Sequence, residues 1–299
     1  MNKYYLDTVA LRSLIPLLLE KPKICEFSYS SLFAFIEIIK GISRKDGLRR
    51  IHIINNLLKT NLPVIEDLPM HIFLKPYGID HPNDKKNIAD ILFIINKVKD
   101  AKSMEDFDAI RQEHNAIFQN LFDCYDDLKM AFSQMLSAQN CVQDKKETFT
   151  INDLSDYIFT PSQHIETTDS TRTEKNPRAY FGKYIKAGFI RNFSIAMLTI
   201  PGIINLLEAN KIDTRDEQIN YLITQYNGNQ LDEFMMAITS YCFKKKCLRE
   251  ASAQSDILDI FHTIYLSKPD QILVSDDKIF EYIIPSEKLM KIQKFKELF

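Results

Sequence analysis

The chain has 299 residues, of which 45% are hydrophobic, so it can bury a large core as one domain or as a core with a subdomain. Its 38 basic and 40 acidic residues leave a formal net charge of -2, which argues against any binder that attracts nucleic acid or a membrane through its overall charge. Five scattered cysteines without a CxxC pair argue against a disulfide framework and a zinc ribbon, and indicate a reducing, cytoplasmic compartment.

No segment of the sequence predicts contact with a membrane. The apolar residues after Lys3 are interrupted by Asp7 and Arg12, and no small-residue cleavage site follows them as it would in a secretory signal. The apolar stretch 193–207 is too short to span a bilayer and contains Pro201. We therefore expect no membrane partner.

The first eighty residues predict strands that alternate with helices. The predicted elements are a strand at residues 3–7, a helix from Thr8 to about Leu19, a strand from Lys23 to Tyr29, a helix capped by Ser30 or Ser31, a helix from Gly47 to Lys59 and an extended segment from Leu62 to Ile65. Asp7 ends the first strand, and Glu37 lies on the second helix.

The middle of the chain, residues 84–250, predicts a mostly α-helical insertion, since its apolar residues recur at helical spacing. The predicted helical stretches are Ile88 to Val98, Phe107 to Phe132, Tyr180 to Ile200, Ile203 to Leu207, Gln218 to Tyr226 and Leu231 to Phe243. The polar composition of residues 143–177 favours a flexible loop.

The last fifty residues return to an α/β pattern. A helix at 251–266 precedes a buried strand at 271–274, and a helix starts in the segment 278–282. We expect 288–298 to form one amphipathic tail helix, with Leu289, Ile292 and Phe295 on its apolar face.

Acidic residues stand at the ends of two predicted apolar strands, the first strand and the strand at 271–274. Asp7 ends the first strand, and Ser275, Asp276 and Asp277 follow the strand at 271–274. If these strands are neighbours in a parallel sheet, their carboxylates meet beyond its carboxyl edge. Carboxylate oxygens suit hard cations such as Mg²⁺ or Mn²⁺, which bridge to substrate phosphates.

Four segments, in this order, resemble a PIN-like nuclease domain. They are Tyr5-Leu6-Asp7-Thr8, the helical Glu37, Asp256-Ile257-Leu258-Asp259-Ile260-Phe261-His262, and Ile272-Leu273-Val274-Ser275-Asp276-Asp277-Lys278. The resemblance implies a three-layer α/β core around a central parallel sheet, built from residues 1–83 and 251–299 and interrupted by the helical insertion 84–250. It also implies divalent-metal-dependent hydrolysis of phosphodiesters.

The resemblance also implies roles for individual residues. The catalytic acids that it implies are Asp7, Glu37, Asp259 and Asp277. The metal ligands that it implies are Asp7, Asp259 and Asp277, with Asp256 and Asp276 as accessory acids, and the further accessory residues are Ser275, Thr8 and His262. The metal would be Mg²⁺ or Mn²⁺, and the substrate RNA rather than DNA.

Each of these residues also has a purely structural interpretation. Asp7 is suited to cap the helix that follows it, and Glu37 to the solvated edge of an amphipathic helix. Asp256 and Asp259 share a helix face and repel unless a cation or a basic residue intervenes. Ser275, Asp276 and Asp277 suit a turn after a strand. His262 is suited to a local hydrogen bond.

Two groups of basic residues are candidates for nucleic-acid binding. One group is Lys183, Lys186 and Arg191, which stand among aromatic residues, and the other is Lys244, Lys245, Lys246 and Arg249, just before the acidic helix. The alternative for both is an ordinary solvated basic face.

The sequence thus predicts a cytoplasmic endoribonuclease, of the kind that acts as a toxin or defence effector, with a regulatory protein or a second copy of the chain as a further partner. Two alternatives remain open. One is a non-catalytic interaction scaffold that retains the core, and the other is a metal-dependent phosphoesterase on small substrates. Hydrolysis of nucleoside triphosphates is disfavoured, because no Gly-rich phosphate loop is present.

Overall fold

A five-stranded sheet with all strand pairs parallel lies at the centre of the computed structural model, which describes residues 2–43, 45–79, 84–122, 126, 186–198, 201–248, 253 and 255–299. The strand order is β3-β2-β1-β4-β5. The strands are β1 (Lys3–Leu6), β2 (Ser28–Ser31), β3 (Val64–Ile65), β4 (Gln271–Val274) and β5 (Leu289–Met290). The prediction of an α/β fold with a central parallel sheet is confirmed.

The sheet joins the two ends of the sequence. Strand β1 pairs with β2 on one side and with β4 on the other, in a register that places Leu6 beside Val274. The central strand therefore comes from the N-terminus and one of its neighbours from the C-terminus. The division of the chain into a discontinuous core and an insertion stays a prediction.

Helices make up most of the rest of the described chain. They are α1 (Thr8–Glu20), α2 (Leu32–Lys40), α3 (Gly47–Leu57), α4 (Pro69–Leu74), α5 (Asp84–Val98), α6 (Met104–Glu113), α7 (Lys186–Met197), α8 (Pro201–Ala209), α9 (Arg215–Gln225), α10 (Asp232–Leu248), α11 (Asp256–His262), α12 (Phe280–Ile283) and α13 (Ile292–Leu298), and residues 115–122 are also helical. None of the helices described is long and apolar enough to cross a bilayer. The predicted loop at 143–177 lies outside the described residues.

Helix α1 shows how local sequence builds the layer next to the sheet. Its buried side chains recur at helical spacing, and they are Ala10, Leu11, Leu14, Ile15 and Leu18. The helix packs against α3 and α13, so residues from both ends of the chain cover it.

The second strand lies later in the sequence than predicted. Residues Pro22–Glu26 form a 3₁₀ turn, and β2 begins only at Ser28. The predicted strand from Lys23 to Tyr29 overlaps β2 only at Ser28 and Tyr29, because the serines of the true strand have no apolar signal. They are nevertheless buried, and Ser30 Oγ donates a hydrogen bond to the Leu6 carbonyl at 2.7 Å.

The tail also differs from the single helix predicted for 288–298. Leu289 and Met290 form the edge strand β5, paired with Leu273 and Val274, and the helix begins at Ile292. A strand of two residues is too short to show a period-2 pattern, so the sequence does not predict it. In the structure its pairing with β4 overrides the helical spacing of its apolar residues.

Candidate functional site

The candidate site lies at the carboxyl edge of the central strand β1 and its neighbour β4. Asp7 directly follows β1, and Ser275 directly follows β4. Because Leu6 is paired with Val274, the next residue of each strand reaches the same edge of the sheet. The predicted meeting of the two strand ends is therefore present in the fold.

Asp7 caps α1 and is almost completely buried. Its Oδ1 accepts a hydrogen bond from the Ala10 backbone N–H at 2.7 Å. Burial raises the pKa of Asp7 to about 6, against the positive charge of His262 and a hydrogen bond from Ser275, which lower it. The helix-cap interpretation of Asp7 is thus confirmed, and the same carboxyl also faces the ionisable groups of the site.

Glu37 lies on α2 with only 13% of its side chain exposed, so it does not sit on a solvated edge. Its Oε2 accepts a hydrogen bond from the Thr8 hydroxyl and lies 2.8 Å from His262 Nε2. Two other elements, the start of α1 and the end of α11, therefore hold this carboxylate toward the sheet edge.

His262 is buried at the end of α11, and both of its ring nitrogens have partners. Nε2 faces Glu37, and Nδ1 lies 2.7 Å from the Tyr5 hydroxyl, which in turn lies 2.8 Å from Ser31 Oγ. Burial lowers the pKa of His262, but the charge and hydrogen bond of Glu37, together with the charges of Asp7 and Asp259, outweigh it and leave that pKa above its ordinary value. The partners of His262 are distant in sequence, so the local hydrogen bond envisaged for it is not what the structure shows.

Asp259 has a strongly raised pKa in the site. Burial and the carboxylates of Asp277, Glu37 and Asp7 together raise its pKa to about 8, against the lowering effect of His262. Four carboxyls from four separate parts of the chain therefore act on one another at this edge.

The residues after β4 form a hydrogen-bonded turn. Ser275 Oγ accepts from the Asp277 N–H at 3.0 Å, and Asp277 Oδ1 accepts from the Ile279 N–H at 3.2 Å. The turn interpretation is confirmed for these two residues. The turn also places Asp277 where its charge reaches Asp259.

The two accessory acids have partners outside this cluster. Asp256 accepts a hydrogen bond from the Tyr241 hydroxyl at 2.7 Å and lies 3.5 Å from Lys245 Nζ. Asp276 is exposed, and its Oδ1 accepts from the Ile292 N–H at 3.0 Å. The repulsion expected between Asp256 and Asp259 is thus offset on the side of Asp256 by a lysine.

The ligand chemistry of the cluster fits a hard divalent cation. Carboxylate oxygens are the preferred ligands of Mg²⁺ and Mn²⁺, and a cation offsets the repulsion that raises the pKa of Asp259. Across the part of the chain that the structure describes, however, no three His, Cys, Asp or Glu side chains are arranged as a metal-binding group. The fit is one of charge and ligand type.

Only some of the basic candidates fall on described side chains. Lys186 Nζ lies 2.6 Å from Asp232 Oδ1 and 2.7 Å from Asn229 Oδ1, and Lys245 pairs with Asp256. Arg191 is exposed on α7. Lys183 and Arg249 lie outside the described residues, as do the side chains of Lys244 and Lys246.

Sequence reasoning missed Tyr5 and Ser31, which complete the hydrogen-bond chain from Glu37 into the core. The sequence predicts Tyr5 as part of a buried strand and of the first PIN-like segment, and Ser31 only as a helix cap, which it is, since its Oγ accepts from the Ala34 N–H at 3.3 Å. No local signal marks either residue, because Tyr5 and His262 are separated by 257 positions.

Comparisons of the chain with protein-family models, curated proteins and solved structures find no match.

Proposed function

We propose that the chain is a divalent-metal-dependent endonuclease that hydrolyses phosphodiester bonds, with RNA favoured over DNA. One observation carries the proposal: the carboxyls of Asp7, Glu37, Asp259 and Asp277 are gathered at the carboxyl edge of the central strands, and the pKa of Asp259 is about 8. Strongly shifted pKa values of this kind concentrate at functional sites. The preference for RNA rests on the resemblance to PIN-like nucleases alone.

Asp7, Asp259 and Asp277 would hold Mg²⁺ or Mn²⁺, and Glu37 would orient a second ion or its waters. When bound, the metal supplies a water of lowered pKa and positive charge for the phosphoryl oxygens. Ser275 and the Ala10 N–H orient the carboxyl of Asp7, while Thr8 and His262 orient that of Glu37. These supporting bonds hold the ligands before a substrate arrives.

The direct test is cleavage of a labelled single-stranded RNA with Mn²⁺, Mg²⁺ or chelator. We expect metal-dependent cleavage by the wild type. Asp277→Asn should lower kcat by more than the roughly 10–100-fold that is typical of residues which only support a metal ligand. Asp270→Asn is the matched control, because Asp270 precedes β4 at the opposite end of the same strand and is exposed.

A wild type that does not cleave nucleic acid would overturn the proposal, and so would either of two further results. One is RNA cleavage by Asp277→Asn at the wild-type rate, which would show that the proposed site is not the active site. The other is metal-dependent hydrolysis of a small phosphodiester without any cleavage of RNA or DNA, which would make the chain a phosphoesterase. Equal losses in Asp277→Asn and Asp270→Asn would show an effect of net charge and not of the site.

A further inference from the structure

We propose that His262 is a positioning residue, whose Nε2–H holds the Glu37 carboxylate at the sheet edge while Tyr5 and Ser31 keep that proton on Nε2. The kinetic part of this inference rests on the proposed nuclease function. Its structural part, the location of one proton, does not depend on any activity.

The geometry forms one continuous chain of hydrogen bonds. Glu37 Oε2 lies 2.8 Å from His262 Nε2, His262 Nδ1 lies 2.7 Å from the Tyr5 hydroxyl, and that hydroxyl lies 2.8 Å from Ser31 Oγ. Ser31 Oγ then accepts from the Ala34 N–H. The chain thus links α11, β1 and the junction of β2 with α2, the helix that carries Glu37.

The chain of bonds determines where the protons lie. An ionised carboxylate only accepts hydrogen bonds, so Nε2 must carry a proton to bind Glu37. When the imidazole is neutral, Nδ1 is then an acceptor, which matches a Tyr5 hydroxyl that donates to it. When the imidazole is protonated, both ring nitrogens donate and Nε2–H still binds Glu37. With the neutral imidazole the Tyr5 oxygen can then accept from the Ser31 hydroxyl, and Ser31 Oγ accepts from the Ala34 N–H, so every atom of the chain has a complementary partner.

Burial explains why the arrangement is specific. Tyr5, Ser31 and His262 are all almost completely excluded from solvent, so water cannot replace a lost partner. An unsatisfied buried polar group costs about 1–3 kcal/mol, which opposes rotation of the imidazole and transfer of its proton to Nδ1. The buried Nε2–H of His262 thereby holds the Glu37 carboxylate in one orientation.

The first experiment locates the proton by ¹⁵N-edited NMR of the imidazole groups in the metal-free protein. The chain has six histidines, and the signal of His262 is assigned by its absence from His262→Gln. We expect a slowly exchanging proton on Nε2 in the wild type. Tyr5→Phe should broaden or shift that signal, because Nδ1 loses its partner. A wild-type proton on Nδ1 with none on Nε2 would overturn the inference.

Tyr29→Phe is the matched control for Tyr5→Phe. Tyr29 is the register partner of Tyr5 on β2, it is also buried, and its hydroxyl donates to the Tyr265 carbonyl at 2.9 Å. Both variants therefore lose one buried tyrosine hydroxyl bond, but only Tyr5→Phe interrupts the chain that ends at Glu37. Equal changes in the His262 signal of both variants would overturn the inference, because they would reflect general loosening of the core.

The second experiment compares two replacements of His262 in RNA cleavage. His262→Gln retains a side-chain N–H donor, whereas His262→Phe retains a ring without one. We expect His262→Phe to lower kcat by roughly 10–100-fold with KM nearly unchanged, and His262→Gln to recover most of the loss. Equal losses in the two variants would assign His262 to packing and overturn its positioning role.

The two levels of failure can be told apart. If the wild type does not cleave nucleic acid, the proposed function fails, and the NMR result still decides whether His262 holds Glu37. If the wild type cleaves but His262→Gln recovers nothing, the function stands and the positioning role fails.

Discussion

Burial and the neighbouring carboxylate of Asp277 together raise the pKa of Asp259 to about 8. Asp259 lies on α11 and Asp277 follows β4, so two separate elements bring like charges to one edge of the sheet. Such an arrangement opposes folding unless a cation or a proton offsets it. The free energy of unfolding should therefore depend on the charge state of Asp259 and Asp277 and on bound metal.

Asp259→Asn removes one charge at nearly constant shape, so it should distinguish a metal ligand from an acid with a purely structural role. In chelator, Asp259→Asn should melt no lower than the wild type. With Mn²⁺ at a hundredfold excess over Kd, the wild type should gain about 2.7 kcal/mol and melt several degrees higher, whereas the variant should gain much less. The measurement is a pair of thermal melts for each protein. A variant that melts several degrees lower in chelator and responds to Mn²⁺ as the wild type does would refute the assignment.

The pH dependence of the metal-free protein should run in an unusual direction. In the folded state Asp259 keeps its proton up to about pH 8, while an unfolded Asp releases it near pH 3.9. The folded state then binds more protons than the unfolded state, so stability falls as pH rises through this window. Asp7, with a pKa of about 6, and His262, with a raised pKa, act in the same direction.

We therefore expect the free energy of unfolding in chelator to decrease from pH 5 to pH 8, by at most about 1.4 kcal/mol per pH unit for each whole proton. Asp259→Asn should flatten this slope, and Asp270→Asn should leave it. Denaturant titrations at four pH values measure it. A stability that rises over this range would show that these three groups do not control it.

Asp276 and Asp277 are adjacent, but they should differ in role. Asp276 accepts from the first N–H of α13, so Asp276→Ala should cost roughly 0.5–2 kcal/mol, and Asp276→Asn should cost little because its amide oxygen still accepts. Both variants should retain RNA cleavage. Loss of cleavage in Asp276→Asn, on the scale of Asp277→Asn, would return Asp276 to the metal site.

The lysines of the basic run before α11 should also differ in role. Lys245 pairs with Asp256 and lies over the Tyr241 ring, so Lys245→Met should lower the melting temperature and leave the salt dependence of RNA binding largely intact. Neutralising Lys244 and Lys246 should reduce the slope of log K against log salt by about 1.4, the value for two lost contacts to a single strand. Binding measured at four salt concentrations gives the slope. An unchanged slope in the double variant would make the run a solvated face.

Local sequence by itself determined the elements whose apolar pattern shows which of their side chains are buried. The apolar run of β1 followed by Asp7, the spacing of α1 and the run Gln271–Val274 all predicted what the structure shows. Each of these segments buries a continuous or periodic apolar set, and Asp favours a helix cap through its own backbone bonds. The strand-end position of Asp7 followed directly.

Only the tertiary structure decided the elements and partners that depend on distant pairing. Strand β2 is largely serine, and β5 has two residues, so both exist because a neighbouring strand accepts their backbone bonds. Asp256 and Asp259 stand one helical turn apart, yet one faces a lysine and the other three carboxylates. The bond between Glu37 and His262 spans 225 positions, and no local pattern encodes a partner at that distance, because periodicity records which side of an element is buried and not what covers it.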